Sequence, residues 1–449
     1  MIVLKFGGTS VGSPEAIRRT AAIIERAHRQ GPIVVVVSAM SGVTDKLLAA
    51  ADAALARRED PDALVSALEA HHTATCVALD LDAASLLEPL GDLREILRGV
   101  SLLRELTGRS RDFIVSHGEV LSARMVAAFL RGRGLKATAV NGWDAGVVTD
   151  DNHGSAAILA ETWTSIPERL AQIGADIPVI TGFLGGTRAG ERTTLGRGGS
   201  DYSGAIFGRA LGASEIQIWT DVSGILSTDP RLVPQAIALP ELTFEEAAEL
   251  AYFGAKVIHP KTIEPAVQAG IPVRVLNTFE PDHPGTRIVA GTRVTRRRVV
   301  ALTTKRKNTI LMLDSTRMLA AEGWLATVFD VLRTHRISID TIATSEVSVC
   351  MSVEPRYAEA LARAAAELER VAKVQLLPGR SILCAVGIGM RDRPGTAARI
   401  FAAVDRAGVN VEMISMGASS INITFVVRDE DADRALKALH HDLIEHPEA

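Results

Sequence analysis

The first residues able to do chemistry stand at the start of the chain, where a lysine precedes two glycines. Residues 1–6 form an apolar run broken by Lys5, and the run leads directly into Gly7-Gly8-Thr9-Ser10. Glycines let backbone N–H groups approach a ligand, and paired N–H groups form an anion-binding concavity. Lys5 adds a point charge suited to phosphate. Because a Walker A lysine follows its glycines, the pattern predicts either a phosphate site of another kinase class or an ordinary tight turn.

A second motif places three glycines, a cation and a carboxylate within six residues, Gly196 to Asp201 of the segment Leu195-Gly-Arg-Gly-Gly-Ser-Asp201. Arg197 offers a bidentate fork for a carboxylate or a phosphate. Asp201 could orient a magnesium ion or the lysine. A helix that begins at or just after Ser200-Asp201 would direct its N-terminus at the same anion. The density of these groups favours a ligand site over a structural turn.

Two more motifs place polar groups at the ends of predicted elements. The run Ile216–Thr220 is a predicted strand, and Thr220 and Asp221 project from its carboxyl end, where open α/β sheets bind ligands. Lys256, within the segment Phe253–Pro260, is a second lysine that could face a nucleotide phosphate or lie on the surface.

Candidate acceptor-binding residues come from two other segments. In Ser116-His117-Gly118-Glu119, at a predicted helix start, Glu119 suits an ammonium group, and His117 is either a general base or a packed side chain. Thr44 follows a valine-rich run, where it could contact a substrate carboxylate or cap the next helix.

Residues 1 to about 290 alternate strand and helix patterns. Ile33–Val37 is a continuous β-branched run of the kind buried on both faces of a parallel sheet. Shorter runs of this kind occur at 177–181, 216–220 and 271–276, with helical patterns between them, for example at 14–30 and 119–131. This alternation predicts an α/β fold with helices on both faces of the sheet.

The remainder of the chain contains an internal repeat with an offset of 72 residues. Gly323–Phe329 aligns with Gly395–Phe401, and Ile337–Asp340 aligns with Val409–Glu412. Two copies of one helix-and-strand unit, each beginning with a glycine, are predicted to pack together. The glycine turn could receive a small ligand at a helix N-terminus, or the copies could be purely architectural.

Composition narrows the functional class of the protein. The chain has 449 residues, 47% hydrophobic residues, 4% aromatic residues and a net charge of −4. These values are typical of a globular protein and argue against a nucleic-acid surface, so the basic stretch at 291–307 is interpreted as a solvated linker or an exposed strand. The three cysteines are scattered, which disfavours a disulfide framework or a zinc site. With no targeting segment or spanning run apparent, we expect a cytoplasmic protein that contacts neither membrane nor nucleic acid.

The motifs together resemble those of the aspartate kinases of the amino-acid kinase superfamily, most closely the monofunctional, lysine-sensitive type. KFGGTS, SHGE, LGRGGSDY, WTDVSGI, STDPR and FGAKVIHP follow one another in the order of that family, and the C-terminal repeat resembles its paired ACT domains. The resemblance implies an amino-acid kinase fold, a mainly parallel sheet sandwiched by helices, followed by two ferredoxin-like ACT domains. We expect no fused homoserine dehydrogenase.

The resemblance also implies domain boundaries. The catalytic domain is expected at 1–292, a linker with the first strand of the second ACT domain at 293–314, the first ACT domain at 315–380 and the rest of the second at 381–449. Paired ACT domains in this family commonly build dimers, which implies a homodimer and leaves a tetramer open.

Site roles follow from the same resemblance, residue by residue. Lys5, Gly7 and Gly8 would contact the ATP phosphates, with Asp201 organising the lysine and the phosphates. Thr44, Glu119 and Arg197 would bind L-aspartate. The residues expected to line the nucleotide are Thr220, Asp221, Leu226, Arg231 and Lys256. Leu226 stands where the family usually has tyrosine, so an adenosine contact is lost or replaced.

An allosteric amino-acid site is implied in the first repeat. Its residues would be Met318, Gly323, Trp324, Leu325, Ile339, Asp340, Thr344, Ser345 and Glu346. Asp340 and Glu346 suit a cationic side chain or an α-ammonium group. Trp324 replaces the usual phenylalanine and Ala321 replaces a polar residue, which leaves the identity of the effector open between lysine, the leading candidate, and threonine.

The expected reaction is ATP-dependent formation of 4-phospho-L-aspartate, with Mg²⁺ accompanying ATP and no metal site on the protein itself. This is the first step of lysine, methionine and threonine biosynthesis, with feedback inhibition by an end product. The acceptor carboxylate is ionised at neutral pH, so no strong general base is needed. Two alternatives remain: an amino-acid sensor with an inactive kinase domain, and a kinase of another acceptor such as acetylglutamate, uridylate or carbamate.

Overall fold

The computed structural model describes residues 1–253, 260–291, 298–316, 318, 322–390, 393–416 and 421–446. The predicted site residue Lys256, the replaced position Ala321 and much of the basic linker lie outside the described residues. Contacts divide the chain into two compact units. Unit 1 comprises Met1–Ile225, Pro240–Phe244 and Val257–Gly291, and unit 2 comprises Leu226–Leu239, Glu245–Lys256 and Thr292–Ala449. The units therefore interleave along the chain, whereas the sequence analysis predicted one boundary at residue 292.

The described strands up to residue 291 are β1 (Ile2–Phe6), β2 (Ile33–Val37), β3 (Ala137–Val140), β4 (Val148–Thr149), β5 (Ile177–Thr181), β6 (Leu184–Thr187), β7 (Arg192–Thr194), β8 (Glu215–Thr220), β9 (Glu241–Thr243), β10 (Val273–Asn277) and β11 (Thr286–Val289). The described helices over the same range are α1 (Pro14–His28), α2 (Val43–Leu55), α3 (Pro61–Ala78), α4 (Ala84–Leu103), α5 (Gly108–Gly132), α6 (Thr162–Ile173), α7 (Gly199–Ala210), α8 (Phe244–Tyr252) and α9 (Glu264–Ala269).

Unit 1 is built on a mainly parallel sheet with the strand order β3-β5-β2-β1-β8-β10-β11-β9. The neighbours β10 and β11 run antiparallel, and the other adjacent pairs run parallel. A smaller sheet pairs β4 with β6 and β6 with β7. The α/β fold predicted from the alternation of strands and helices is confirmed.

Helices cover both faces of the sheet. All five residues of β2 are buried, as expected for a strand with neighbours on either side and helices above and below. One face packs residues such as Leu4 and Phe6 against α1 and α5. On the opposite face α7 lies so close that a Cβ on Gly208 would meet the side chain of Ile216 at 2.4 Å. Only a glycine fits at that crossing without displacing the isoleucine.

Helix α5 passes through the core of unit 1 and contributes to two apolar clusters, one with the sheet and one with α2, α3 and α4. Its length and hydropathy would allow it to cross a membrane, but 83% of the apolar window is buried inside the protein. The helix begins at Thr107, whose hydroxyl accepts from the N–H of Ser110. The prediction that Ser116-His117-Gly118-Glu119 starts a helix is therefore wrong, because these residues lie in the middle of α5.

The described elements of the remaining chain are strands β12 (Ala301–Asp314), β13 (Ile339–Thr344), β14 (Ser348–Val353), β15 (Lys373–Val386), β16 (Met413–Ser415) and β17 (Asn422–Arg428), and helices α10 (Trp324–Thr334), α11 (Ala358–Leu368), α12 (Thr396–Arg406) and α13 (Ala432–His440). Their strands form an antiparallel sheet ordered β13-β14-β12-β15-β17-β16.

The two halves of unit 2 repeat each other. Gly323 and Gly395, both with left-handed φ angles of +80° and +84°, precede α10 and α12. Strands β12 and β15 also begin and end 72 residues apart. The predicted repeat is therefore present, and each copy packs its helices on its own apolar cluster.

The long strands β12 and β15 belong to both repeats at once. Residues 301–305 of β12 pair with the end of β15, whereas residues 309–314 pair with β14 and with the start of β15. A register shift between Lys305 and Asn308 separates the two halves. The sequence analysis expects a linker and the first strand of the second ACT domain at 293–314, and within that range residues 309–314 of β12 pair with β14 of the first repeat.

The close packing of α5 at Gly118 leads to a stability test. A Cβ on Gly118 would lie 2.8 Å from the Cβ of Ala39 and 3.3 Å from Leu47, whereas a Cβ on Gly132 of the same helix meets nothing within 4 Å. We expect Gly118→Ala to destabilise unit 1 by about 1–3 kcal/mol through overpacking. Gly132→Ala should be neutral or stabilising by up to about 1 kcal/mol. Urea denaturation of both variants measures the difference, and equal midpoints would contradict the packing argument.

Candidate active site

A cleft of about 740 Å³ opens at the carboxyl ends of β1, β2, β5 and β8 in unit 1. Parallel strands direct their carboxyl ends to one edge of a sheet, which is where open α/β sheets bind ligands. The predicted residues that the structure brings together on the walls of this cleft are Lys5, Gly7, Gly8, Thr44, Glu119, Arg197, Asp201, Thr220 and Asp221.

An ion pair between β1 and α7 lies at the base of the cleft. The Nζ atom of Lys5 is 2.5 Å from Oδ1 of Asp201, and Lys5 is only 7% exposed. Lys5 is opposite Val36 and Ile218 in the sheet, so its backbone is fixed on both sides. A Cβ on Gly204 would lie 3.3 Å from the Cβ of Lys5, and this glycine lets α7 approach the strand. The predicted pairing of Asp201 with the lysine is present.

The two N-terminal glycines have different tasks. The N–H of Gly7 donates to the carbonyl of Trp219 at 3.0 Å, so it is committed to the sheet edge. A Cβ at this position would lie 3.7 Å from the Nζ of Lys5. A Cβ on Gly8 would lie 3.0 Å from the carbonyl oxygen of Ala39. Glycine at 7 therefore keeps the space beside the ammonium group open, and glycine at 8 allows two loops to meet.

The second glycine motif forms the turn from β7 into α7. Gly196 and Gly198 adopt left-handed φ angles of +77° and +74°, which side-chain-bearing residues rarely adopt. Arg197 stands exposed between them. Helix α7 begins at Gly199, one residue before the predicted start, with Asp201 in its first turn. The helix N-terminus and Arg197 thus make one wall of the cleft electropositive.

Glu119 is a buried carboxyl that also lines the cleft. It is 3% exposed, and its Oε1 accepts from the N–H of Ala39 at 3.2 Å. Its Oε2 is buried and has no partner among the described residues. Burial raises the pKa of Glu119 to about 8, and the bond from Ala39 and the charge of Lys5 offset only part of that effect. A cationic ligand group would supply the missing partner.

Thr44 lies at the start of α2 and Thr220 at the end of β8, and both line the cleft. Gly42, with a left-handed φ of +75°, is the N-cap of α2, so Thr44 is not the cap and its partly buried side chain lines the cleft. At the end of β8 the hydroxyl of Thr220 donates to Oδ1 of Asp221 at 3.1 Å. These groups extend the polar lining beyond the lysine and the glycine loops.

Two predicted nucleotide residues belong to unit 2. Arg231 is exposed and forms an ion pair with Asp229 at 2.7 Å. Leu226 is partly buried and forms an isolated bridge with Ala238.

His117 is a packed side chain. It is fully buried, its Nδ1 contacts the carbonyl of Phe113 at 2.8 Å, and its ring lies against the Phe113 ring. Burial lowers the pKa of His117 to about 4, so the ring is neutral at physiological pH. The histidine does not line the cleft, and the general-base interpretation has no support.

Two cleft residues escaped the sequence analysis. Asp112 of α5 is a buried carboxylate whose partners come from a distant loop and from β7. Phe183 has a left-handed φ of +67°, which is unusual for an aromatic residue and marks local strain. The only signal for Phe183 was its position just after a buried strand, at Thr181-Gly182. Nothing local distinguished Asp112 from a surface aspartate.

The predicted allosteric residues lie in unit 2, around the start of α10 and along β13. Gly323, Trp324 and Leu325 open the helix; Ile339, Asp340 and Thr344 belong to β13; and Ser345 and Glu346 form the turn after it. Met318 precedes the helix and packs against the apolar cluster of this repeat. Trp324 is buried, and its Nε1 has no partner among the described residues. Thr344, Ser345 and Glu346 are exposed.

Comparisons with known proteins agree along the whole chain. Residues 1–277 match the amino acid kinase family, and residues 383–443 match an ACT domain. Aspartokinase 1, chloroplastic, of Arabidopsis thaliana is 39% identical over 99% of this chain and 80% of its own length. Lysine-sensitive aspartokinase 3 of Escherichia coli is 35% identical over 99% of both chains.

Solved structures give the same result. The chain superposes on E. coli aspartokinase III in complex with aspartate and ADP with a TM-score of 0.81, at 33% identity and 99% coverage of both chains. The same enzyme in complex with lysine and aspartate matches with equal values. The aspartate kinase of Clostridium acetobutylicum, at 24% identity and a TM-score of 0.86, supports the fold alone.

The buried carboxyl of Glu119 makes the stability of unit 1 depend on pH. Its pKa rises from 4.5 to about 8 on folding. The stability that this proton contributes is therefore complete below pH 4.5 and declines by about 1.4 kcal/mol per pH unit as the pH rises towards 8. We expect wild type to lose about 2 kcal/mol relative to Glu119→Gln between pH 6 and pH 8.

Urea denaturation at both pH values, followed by the fluorescence of Trp143, Trp163 and Trp219 of unit 1, measures this difference. Glu88→Gln, at an exposed position of α4, is the matched control and should follow wild type. A difference between wild type and Glu119→Gln that is equal at the two pH values would refute the assignment.

Proposed function

The chain belongs to the aspartokinase family, and from that membership we propose how its cleft phosphorylates the side-chain carboxylate of L-aspartate with ATP. The product is 4-phospho-L-aspartate, the first intermediate of lysine, methionine and threonine biosynthesis. The observation that carries the assignment of residues is the joint placement of the Lys5–Asp201 pair and the buried carboxyl of Glu119 on one cleft.

Lys5 is the residue we assign to the transferring phosphoryl group. Phosphoryl transfer depends on positioning and on neutralising the charge of the γ-phosphoryl oxygens. The Lys5 ammonium is buried, held by Asp201 and kept accessible by the absence of a side chain at Gly7. The N-terminus of α7 adds a positive dipole end to the same space. Because the acceptor is already ionised, the neutral and buried His117 is not required as a base.

Glu119, Arg197 and Thr44 are the residues we assign to L-aspartate. The unpartnered Oε2 of Glu119 accepts the α-ammonium group, and the approach of that cation favours the ionised carboxylate. The guanidinium of Arg197 is exposed to the cleft and offers two parallel donors to a carboxylate. Thr44 contributes a hydroxyl at the start of α2.

The nucleotide is assigned to Lys5, Gly7, Gly8, Thr220 and Asp221 in unit 1, together with Leu226, Arg231 and Lys256. Leu226 offers an apolar contact where the family commonly has tyrosine, which weakens adenosine recognition but leaves the phosphoryl transfer unchanged.

A kinase that uses ATP requires a divalent cation, and Mg²⁺ neutralises charge on the phosphates when it is bound. Such a cation keeps several waters and needs only one or two carboxylates. Asp201 and Asp221 fit that demand, and the described residues hold no cluster of three ligands.

Feedback inhibition is assigned to the first repeat of unit 2, with lysine as effector and threonine as the alternative. The E. coli relative is named lysine-sensitive, and its structure with lysine and aspartate resembles this chain over its full length. Asp340 supplies a buried carboxylate and Glu346 an exposed one.

We further propose that the protein is a cytoplasmic homodimer, with a tetramer as the larger form. We also propose that the domain limits 1–292, 315–380 and 381–449 describe the functional parts.

Lys5→Met tests the assignment of the phosphate site. Removing a preorganised cation from the transition state should lower kcat by at least about 100-fold. ADP release from Mg-ATP is measured with L-aspartate, and L-glutamate and N-acetylglutamate serve as alternative acceptors. Lys136→Met, at an exposed lysine, is the matched control and should retain activity.

A folded Lys5→Met protein with near-normal turnover would refute the role of Lys5. Wild-type protein that binds nucleotide but releases no ADP with aspartate would instead favour a sensor or another acceptor.

A further inference from the structure

Asp112 is a buried carboxylate that the assigned reaction does not use. It is 3% exposed and lies on α5, on the same face as Glu119, where both residues reach the cleft. It accepts hydrogen bonds from the N–H of Gly154 at 3.0 Å and from the N–H and hydroxyl of Thr194 at 3.1 and 2.7 Å. Nδ1 of His153 lies 3.0 Å away.

These bonds hold together two segments next to the glycine turn at 196–198, namely β7 and the loop that contains Gly154. Thr194 is the last residue of β7, directly before Leu195-Gly196-Arg197. A Cβ on Gly196 would lie 3.4 Å from the carbonyl of Gly154 and 3.1 Å from the hydroxyl of Ser155, so the turn rests on the loop that Asp112 holds. The N–H of Ala156 also donates to the carbonyl of Thr194 at 2.9 Å.

We infer that Asp112 is a positioning residue for aspartate binding, which acts by holding the turn that presents Arg197. The inference rests on the proposed role of Arg197. An ionised carboxylate accepts all of these donors, whereas an amide would direct its own N–H groups at some of them. Loss of the carboxylate would leave Arg197 present but misplaced.

Asp112→Asn tests this role. We expect the KM for aspartate to rise at least tenfold, with the KM for ATP within twofold of wild type. Thr194→Val removes only the hydroxyl bond and should shift the KM for aspartate in the same direction by a smaller factor, which keeps the test open if Asp112→Asn folds poorly. Asp282→Asn, at an exposed carboxylate paired with Arg26 and away from the cleft, is the control and should change neither constant.

Arg197→Lys, measured in parallel, separates the two claims. If Arg197→Lys raises the KM for aspartate and the Asp112 and Thr194 variants do not, the positioning role is refuted and the proposed function stands. If Arg197→Lys leaves that KM unchanged, the role of Arg197 and the inference both fail. Equal rises in the KM values for both substrates would identify Asp112 as merely structural.

A separate observation in unit 2 concerns the predicted effector residue Asp340. Its side chain is 5% exposed, and its Oδ1 lies 2.7 Å from the Nζ of Lys305 and 3.2 Å from the hydroxyl of Tyr252. The Lys305 ammonium is also 2.7 Å from Oε1 of Glu354 and 5.2 Å from the centre of the Tyr252 ring. Glu354 in turn pairs with Arg356 at 2.8 Å. The Oδ2 atom of Asp340 is buried without a partner among the described residues.

Tyr252 is the last residue of α8, so this cluster joins the effector residue to a helix that follows β9 of the catalytic sheet. The residue after it is bonded as well, because the carbonyl of Phe253 accepts from the hydroxyl of Thr303 at 2.7 Å. The Glu249 carboxylate of α8 also accepts a hydrogen bond from the side-chain amide of Asn422, which belongs to the second repeat. In the sequence Lys256 follows Tyr252 by four residues.

We propose that Tyr252 and Lys305 couple effector binding at Asp340 to helix α8, which follows β9 of the catalytic sheet. An ammonium group arriving at Asp340 competes with the Lys305 ammonium for the same carboxylate. Redistribution of those bonds changes the hydrogen bond that holds Tyr252 at the end of α8. The coupling depends on the proposed effector site.

Tyr252→Phe removes only the hydroxyl and tests the coupling. Without lysine we expect kcat and both KM values within twofold of wild type. The lysine concentration for half-inhibition should rise at least fivefold, while the Kd for lysine from calorimetry stays within about threefold. Tyr357→Phe, at the start of α11, is the matched control and should be inhibited like wild type.

Inhibition of Tyr252→Phe that equals wild type refutes the coupling and leaves the effector site intact. If neither lysine nor threonine binds or inhibits the wild-type protein, the effector site itself is refuted, and the coupling with it.

Discussion

The contact between Lys5 and Asp201 is the interaction on which the arrangement of unit 1 depends. A lysine on a central strand would be costly to bury without a partner, and the carboxylate in the first turn of α7 supplies one. That contact requires α7 to lie close to the sheet, and Gly204 beside Lys5 and Gly208 beside Ile216 of β8 leave the space for it. The glycine turn before the helix is then fixed in place, with Arg197 at its tip. Removing either partner of such a buried pair lowers the free energy of unfolding by about 3–5 kcal/mol. The Lys5–Asp201 pair is therefore needed both for the cleft and for the stability of the fold.

Helix α5 shows how the environment separates two carboxyl groups with the same chemistry. Asp112 has donors from two segments and serves as a fastening point. Glu119, two turns further along the same face, receives one N–H and keeps an oxygen without a partner. A satisfied carboxylate holds a structure together, and an unsatisfied one is available to a ligand.

Local sequence patterns were sufficient for the parts of the fold that repeat or alternate. The five β-branched residues of β2 and the 72-residue offset in unit 2 both predicted the observed elements. The N-cap of α5 is Thr107, which lies well before the Ser116–Glu119 motif from which the sequence predicts the start of this helix. Asp112 was missed because its partners are distant in the chain. The placement of α8 with unit 2 was missed for the same reason, since long-range pairing leaves no periodic signal.

The continuous strands β12 and β15 limit how this protein can be divided into fragments. Each strand supplies pairing edges to both repeats, so no cut between the repeats leaves either of them with a complete sheet. A fragment limited to residues 383–443, the part that matches an ACT domain, would lose all of β12 and most of β15. The exposed edges would then invite pairing with other chains. The two repeats therefore share one sheet, and they should be transplanted, truncated or swapped only as a pair.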